Sequence, residues 1–168
     1  YVAACVAGVI ELHDCLRVLH ARASLMGSMP PGDMLAVALN LDETQECLID
    51  GVGIAASNAP DVTVVSGSSD AVSEFKARVE ERDIQTFPLH TSHAFHSEMM
   101  EPILAPFEAS FEGIELNEPQ IPFVSSLTGT WITNEQAVSP SYWAAQLRNG
   151  VLFSKGIRQI FEDEAPVF

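Results

Sequence analysis

The sequence predicts an α/β protein in which a small ferredoxin-like unit interrupts a larger unit. The first observation is an alternation of strand and helix patterns between residues 33 and 89, in the β-α-β-β-α-β order of a split βαβ module. The second is helical periodicity on both sides of this region, with a turn-rich linker, Gly27–Asp33, before it. We therefore divide the chain into residues 1–32, 33–89 and 90–168, and assign the first and third parts to the larger unit.

The first part of the chain predicts two helices. A helix of small residues covers residues 1–8 and ends at Gly8, and a longer amphipathic helix covers Val9–Met26. The side of the longer helix expected to face the core consists of Val9, Leu12, Leu16, Leu19, Ala23 and Met26.

Arg22 departs from the amphipathic pattern of this helix. At about 100° per residue it lies in an apolar arc with Cys15, Val18, Leu19 and Met26. An unpaired guanidinium group in such an arc would be costly to desolvate. Two interpretations stay open here. Arg22 reaches the helix edge or pairs with a protein carboxylate such as Glu11, or it binds the carboxylate of a substrate.

The small unit is predicted to contain four strands and two helices. The expected strands are Met34–Leu39, Val52–Ala56, Val62–Gly67 and Ile84–Leu89. One helix is expected to begin at Asp42, with Gln45 completing a capping box, and the other to cover Ser69–Arg82, with Val72, Phe75, Ala71 and Val79 facing inward. No residue in this unit carries obvious chemistry, and Asn58 and Gly67 are interpreted as turn residues.

The third part is predicted to alternate helices with one buried strand before the chain ends. The expected elements are a helix over Glu98–Phe111, a strand over Pro122–Leu127, a loop over Trp131–Ser139, helices over Pro140–Leu147 and Ser154–Glu162, and the start of a strand at Ala165–Phe168. The chain has no initiator Met, and its last residues begin an apolar strand pattern. We therefore expect a fragment that is cut at both ends.

Composition excludes several classes of partner. Eight basic and 23 acidic residues give a net charge of −15, which repels nucleic acids and anionic membranes. No apolar run approaches the roughly 20 residues that a membrane span needs.

The three cysteines are widely spaced in apolar segments, which favours reduced thiols over disulfides. Reduced thiols in turn favour a cytoplasmic location.

Three of the five histidines fall within Leu89–Ser97, directly after the last strand of the small unit. His93 and His96 are three residues apart, so a metal pair is conceivable, but no third ligand of the usual kind stands near them. The chain contains no glycine-rich phosphate-binding motif. The pattern therefore favours a histidine that acts as a general base or acid.

The histidine segment also carries a resemblance to a known family. His93-Ala94-Phe95-His96-Ser97 resembles the His-Ala-Phe-His motif of malonyl-type acyltransferase domains of modular polyketide synthases. Further matching segments occur in the right order along the whole chain: Tyr1-Val2-Ala3-Ala4, Gly8-Val9-Ile10, Ala21-Arg22-Ala23, Asn58-Ala59-Pro60, Val64-Val65-Ser66-Gly67, Val124-Ser125-Ser126-Leu127-Thr128-Gly129, Tyr142-Trp143 and Gln146-Leu147-Arg148. Several spaced motifs make the match far more specific than one motif would.

The resemblance implies a fold and a reaction. The fold is a partial α/β-hydrolase-like large subdomain with an inserted ferredoxin-like (βαββαβ) small subdomain. In the ping-pong reaction, an active serine takes malonyl from malonyl-CoA and passes it to the phosphopantetheine thiol of an acyl carrier protein. The resemblance also implies that the domain has no cofactor of its own and that a ketosynthase domain is its neighbour in the parent chain.

The resemblance assigns roles to five residues of this chain. His96 matches the catalytic base, and Arg22 matches the residue that pairs with the malonyl carboxylate. Phe95 matches the residue whose bulk disfavours a branched α-carbon, and His93 belongs to the same pocket wall. Gln146 falls where the family has a glutamine near the acyl pocket, and nearby backbone is expected to orient the base in place of an Asp.

The family's nucleophile is not among these matches. It lies in a Gly-His-Ser-x-Gly motif that would precede Tyr1, and the family's oxyanion-hole Gln and its C-terminal Gly-Pro-Gly segment also have no counterpart in the chain. We therefore expect the isolated fragment to be inactive. Two alternatives remain at this point: a docking module that holds a carrier protein without catalysis, and a serine hydrolase of the same fold.

Overall fold

The α/β class is confirmed by the computed structural model, which describes residues 1–163. The strands are β1 (Asp33–Val37), β2 (Val52–Ala59), β3 (Val62–Gly67) and β4 (Thr86–Leu89). The α-helices are α1 (Val2–Val6), α2 (Leu12–Gly27), α3 (Leu41–Cys47), α4 (Ser69–Glu80), α5 (Leu104–Ala109), α6 (Asn134–Ala137), α7 (Pro140–Arg148) and α8 (Phe153–Asp163), and a 3₁₀ helix covers Glu98–Ile103.

The four strands form one antiparallel sheet in the order β2-β3-β1-β4. Because side chains alternate along a strand, the sheet has two distinct faces. Leu35 and Val65 lie on the face that α4 covers with Phe75. Met34 and Val64 lie on the other face, in a small cluster against which Phe95 packs. The second face is therefore turned toward the histidine segment.

A second core joins the helices before and after the sheet. The buried residues of α2 pack with residues of the 3₁₀ helix, α5 and α7, and the cluster includes Cys15, Val18, Met26, Met100, Ile103, Phe107, Trp143 and Leu147. The predicted inward face of α2 is wrong in part, since Leu12 is 63% exposed and Leu16 58% exposed. This helix is apolar on two sides, and the described part of the chain covers only the side that contains Cys15 and Val18.

Two helix starts differ from the prediction because other capping residues act there. Helix α3 begins at Leu41, after Asn40, whose side chain accepts a hydrogen bond from the Glu43 amide at 2.9 Å, and Glu43 accepts one from the Asn40 amide in return. This capping box replaces the predicted one at Asp42 and Gln45. A second capping box, Thr133 with Gln136, starts α6 inside the segment predicted to be a loop.

Two elements of the third part also differ from the prediction. Glu98–Ile103 is a 3₁₀ helix that leads into α5, because Pro102 and Pro106 cannot donate the backbone hydrogen bonds of one continuous α-helix. The strand predicted at Pro122–Leu127 is a single bridge between Val124 and Trp131, since residues 1–163 supply no further strand beside it. The strand predicted at Ala165–Phe168 lies outside the described residues.

One backbone connection ties the sheet to the helical part. Val151, which follows α7, forms a parallel bridge with Ala56 of β2. Its amide donates to the Ala55 carbonyl at 2.9 Å, and its carbonyl accepts from the Ser57 amide at 2.8 Å. Through this bridge the end of α7 is held against the sheet.

Cys5, Cys15 and Cys47 are free thiols. No helix among residues 1–163 has the length and apolar character to cross a bilayer.

Candidate active site

His96 lies in the segment between β4 and the 3₁₀ helix, in an unusual backbone conformation. Its φ is +60°, in the left-handed region that side-chain-bearing residues seldom adopt. Its Nδ1 atom lies 2.9 Å from the carbonyl oxygen of Asn149, at the end of α7. A carbonyl oxygen can only accept, so Nδ1 carries the proton and Nε2 has its lone pair free. This is the tautomer that a general base requires.

The surroundings of His96 favour its neutral form. Burial lowers the pKa of the imidazole, and the nearby Arg22 guanidinium lowers it further. Hydrogen bonds to the backbone of Asn149 and Gln146 act in the opposite direction but are the weaker influences in sum. A histidine whose pKa lies below its ordinary value is unprotonated at neutral pH and is ready to accept a proton.

Arg22 lies on α2 with its guanidinium partly buried. Its Nε atom is buried and has no hydrogen-bond partner among the described residues, and its Cζ atom lies 5.9 Å from the centre of the Tyr1 ring. The alternative of an ion pair with Glu11 is not realised in residues 1–163. A buried, unpaired donor of this kind is costly unless an anion or another acceptor reaches it.

A cavity of about 420 Å³ brings three of the predicted site residues together. It lies between α2, the histidine segment and the face of the sheet that carries Met34 and Val64. Its lining residues are Arg22, Met26, Met34, Ala55, Ala56, Asn58, Val64, Leu89, Thr91, Phe95, His96 and Val151. A largely apolar wall with one cation and one neutral histidine suits a short acyl chain that ends in a carboxylate.

His93 and Gln146 lie beside this cavity and do not line it. The His93 ring lies 5.9 Å from the Phe95 ring, and its Nδ1 atom is 2.7 Å from the Ser92 hydroxyl. The Gln146 side chain donates to the Ser126 hydroxyl at 2.9 Å, while its backbone hydrogen-bonds His96. The structure therefore brings Gln146 to the site through its main chain.

Sequence reasoning missed three features of the site. Asn58 was predicted to be a turn residue, but it lies in β2 and lines the cavity. The predicted strand ended at Ala56, whereas the observed strand continues to Ala59, so Asn58 fell outside the predicted element. The carbonyl of Asn149 and the left-handed conformation of His96 are backbone properties, which leave no signal in the sequence.

This fold and site define a class of protein. The α/β scaffold presents in one cavity a histidine with a lowered pKa and a guanidinium whose buried Nε has no hydrogen-bond partner among residues 1–163, an arrangement suited to proton transfer beside a bound anion. The chain belongs to the acyl transferase domain family, whose model matches residues 1–168.

Curated relatives and solved structures agree with this assignment. The chain is 41% identical over 160 residues to the phenolphthiocerol synthesis polyketide synthase type I Pks15/1 of Mycobacterium marinum, matching 94% of this chain and 8% of that protein. It is 40% identical over 171 residues to the polyketide synthase GfsB of Streptomyces halstedii, matching 98% of this chain and 3% of that protein.

Among solved structures, the acyl transferase domain of SpnD, in complex with 2-(pent-4-yn-1-yl)malonyl, superposes with a TM-score of 0.92 at 34% identity. The match covers 97% of this chain and 40% of that one. FabD from Acinetobacter baumannii shares the fold, with a TM-score of 0.87 over 95% of this chain and 54% of its own, at 22% identity. The chain thus spans well under two thirds of these relatives.

Proposed function

We propose that this chain is part of an acyltransferase domain that transfers a malonyl unit from malonyl-CoA to the phosphopantetheine thiol of an acyl carrier protein. The observation that carries the proposal is the buried Nε of Arg22, which has no hydrogen-bond partner among residues 1–163 and lies at the cavity that also contains His96. A carboxylate is the natural partner for this guanidinium, because it accepts two hydrogen bonds in the planar geometry that arginine offers. Malonyl carries such a carboxylate, whereas acetyl does not.

In the proposed mechanism, His96 accepts the proton of a serine that precedes Tyr1 in the parent protein. The serine oxygen attacks the thioester carbonyl of malonyl-CoA, the C–S bond breaks, and the imidazolium returns the proton to the departing CoA thiolate. The carrier protein's thiol then attacks the acyl-serine with His96 again acting as base, and the serine leaves as the free hydroxyl. The Asn149 carbonyl stabilises the imidazolium in both half-reactions.

Other residues of the cavity would select the acyl group. Phe95 packs against the helical core and against the small cluster that contains Met34 and Val64, so its ring is well supported and would leave little space for a branched α-carbon. His93 would support that ring from the side. The backbone of Gln146 would help to orient His96. These roles follow the residues' positions around the cavity and their resemblance to the family's motifs.

The proposal extends to architecture and partners. The sheet with α3 and α4 would be a ferredoxin-like small subdomain, residues 33–89, inserted in an α/β-hydrolase-like large subdomain. The support is the β2-β3-β1-β4 strand order and the cavity at the junction with α2. The partners would be malonyl-CoA, an acyl carrier protein and a neighbouring ketosynthase domain, and the domain would need no cofactor of its own.

The test uses Arg22→Ala in the complete acyltransferase domain, with malonyl-CoA and acetyl-CoA compared as acyl donors. We expect the rate of acyl-enzyme formation from malonyl-CoA to fall by roughly 10- to 100-fold, because a charged hydrogen-bond partner is lost. The rate from acetyl-CoA should change little. Arg17→Ala is the matched control, since Arg17 lies on the same helix and pairs with Asp14 at 2.8 Å. Equal losses with both donors would contradict the carboxylate role.

The same assay separates the two alternative functions. A serine hydrolase would release free malonate faster than it transfers malonyl to the carrier protein. A docking module would bind the carrier protein equally well after His96→Ala and would form no acyl adduct. The isolated chain of 168 residues is expected to form no adduct with labelled malonyl-CoA, because the proposed serine is not among its residues.

A further inference from the structure

The left-handed conformation of His96 must be maintained by its surroundings. A non-glycine residue at φ +60° persists where contacts hold it in place. One contact is the 2.9 Å hydrogen bond from His96 Nδ1 to the Asn149 carbonyl. Asn149 is fixed in turn, because its side-chain amide donates to the Ala145 carbonyl at 2.8 Å. The position of the His96 ring therefore depends on the position of the end of α7.

Arg148, next to Asn149 in the chain, links the end of α7 to the 3₁₀ helix that follows His96. Its Nε atom lies 3.1 Å from Glu101 Oε2, and its Nη2 atom lies 3.4 Å from Glu98 Oε1. The Arg148 side chain is 28% exposed, whereas those of Glu98 and Glu101 are 81% and 66% exposed. One guanidinium thus bridges two carboxylates on the neighbouring element.

The 3₁₀ helix is itself fixed relative to His96. The Ser97 hydroxyl donates to the Ala94 carbonyl at 2.7 Å and accepts a hydrogen bond from the Met99 amide. The contacts thus close a ring that runs from His96 through Ser97 and the glutamates to Arg148, and from Asn149 back to His96. A shift of α7 against the 3₁₀ helix would move the Asn149 carbonyl away from Nδ1.

We propose that Arg148 is a positioning residue for the base. By bridging Glu98 and Glu101 it holds the Asn149 carbonyl where it fixes the tautomer and orientation of His96. This inference rests on the proposed function, since it takes His96 as the base. Exposed ion pairs of this kind contribute little to stability. A misplacement of a catalytic group by about 1 Å, by contrast, can cost on the order of 100-fold in rate.

The test replaces Arg148 by Met in the complete domain and measures three quantities. We expect the rate constant for acyl-serine formation to fall roughly 10-fold, the KM for malonyl-CoA to stay within about 2-fold because Arg22 is intact, and the Tm to change by less than about 3 °C. Arg17→Met is the matched control. Arg17 does not line the cavity, and its guanidinium pairs with the Asp14 carboxylate at 2.8 Å. It should leave all three quantities unchanged.

A charge swap provides the rescue. The double variant Arg148→Glu, Glu101→Arg should recover most of the lost rate, whereas either reversal alone should be at least as slow as Arg148→Met. An unchanged rate in Arg148→Met would overturn the inference. A rate loss that is accompanied by a decrease in Tm of more than about 3 °C, and that the charge swap does not rescue, would assign Arg148 a merely structural role.

A spectroscopic measurement separates this inference from the proposed function. Nitrogen-15 shifts of the His96 ring should report the Nδ1-protonated tautomer in the unaltered domain and a mixture of tautomers in Arg148→Met. If the unaltered domain does not take malonyl, the proposed function fails, but the tautomer shift still tests the role of Arg148. Identical His96 spectra in both proteins would overturn that role whatever the activity.

Discussion

At the scale of single residues, the site depends on how His96 and Arg22 influence each other. Burial and the neighbouring guanidinium both disfavour the imidazolium, while the Asn149 carbonyl partly stabilises it. This balance keeps the imidazole unprotonated at neutral pH, while the Asn149 carbonyl on Nδ1 would stabilise the imidazolium formed when Nε2 takes up a proton. Glu98 and Glu101 point their carboxylates at Arg148, so they do not neutralise Arg22.

This balance predicts the pH dependence of activity. The kcat/KM for acyl-enzyme formation should fall as pH decreases, with an inflection below about 6.5, since the pKa of His96 is lowered from its ordinary value. Initial rates between pH 5 and 8 would measure it. Arg22→Ala should move the inflection upward, because one of the influences that lowers the pKa is removed. An inflection above pH 7 in the unaltered domain would contradict the environment described for His96.

The same lowered pKa affects stability. The unfolded chain takes up the proton on His96 first, so this group's effect is absent above about pH 6.5 and destabilises the fold as pH falls through the range down to the folded-state pKa. Denaturant unfolding at pH 7 and pH 5.5 should show a larger drop in the free energy of unfolding for the unaltered protein than for His96→Gln. Equal drops would contradict the lowered pKa.

The sequence could identify some site residues and not others, for physical reasons. His96 and Arg22 are visible because clustered histidines and a guanidinium in an apolar arc violate ordinary patterns. Asn149 acts through its carbonyl, which every residue type possesses. The grouping of Arg22, Phe95 and His96 around one cavity is shown by the structure, whereas their chemical roles stay proposals.

At the scale of elements, the predicted strands and helices agree with the structure where periodicity is strong. Helix α4 buries Val72, Phe75 and Val79 as predicted, because its apolar residues are confined to one side. Helix α2 is apolar on two sides, so periodicity alone could not choose the buried one. Short elements such as α6 depend on local capping by Thr133, which was present in the sequence but gave no periodic signal.

The close approach between the start of β2 and the end of β3 gives an element-scale prediction. A Cβ atom at Gly67, the last residue of β3, would lie 2.1 Å from the backbone oxygen of Gly51, which cannot move without displacing the strand. Gly67→Ala should therefore lower the free energy of unfolding by about 2–4 kcal/mol. Gly53→Ala on β2 is the control, since nothing lies within 4 Å of its added Cβ. Similar denaturation midpoints for the two variants would contradict the close approach.

At the scale of the whole molecule, the cavity lies between the sheet and the helical part of the chain, and neither part contains it alone. Helix α2 supplies Arg22, the sheet supplies Met34 and Val64, and the segment after β4 supplies Phe95 and His96. A change in the angle between the sheet and α2 would therefore alter both the cavity volume and the distance between Arg22 and His96. The short Val151 bridge to β2 restrains that angle at the end nearest Asn149.

The Val151 bridge has a second consequence, which concerns self-association. An open sheet has two outer strands whose unpaired backbone groups can bind another chain. Here β2 is one of them, and Val151 occupies part of its free side. The other is β4, which contains Pro88, a residue that has no backbone donor to offer. Pro88→Val should therefore increase concentration-dependent aggregation, measurable by light scattering, while Thr86→Val on the same strand should not. Val151 covers part of one edge strand and Pro88 removes a backbone donor from the other, so the fold discourages strand-to-strand polymerisation.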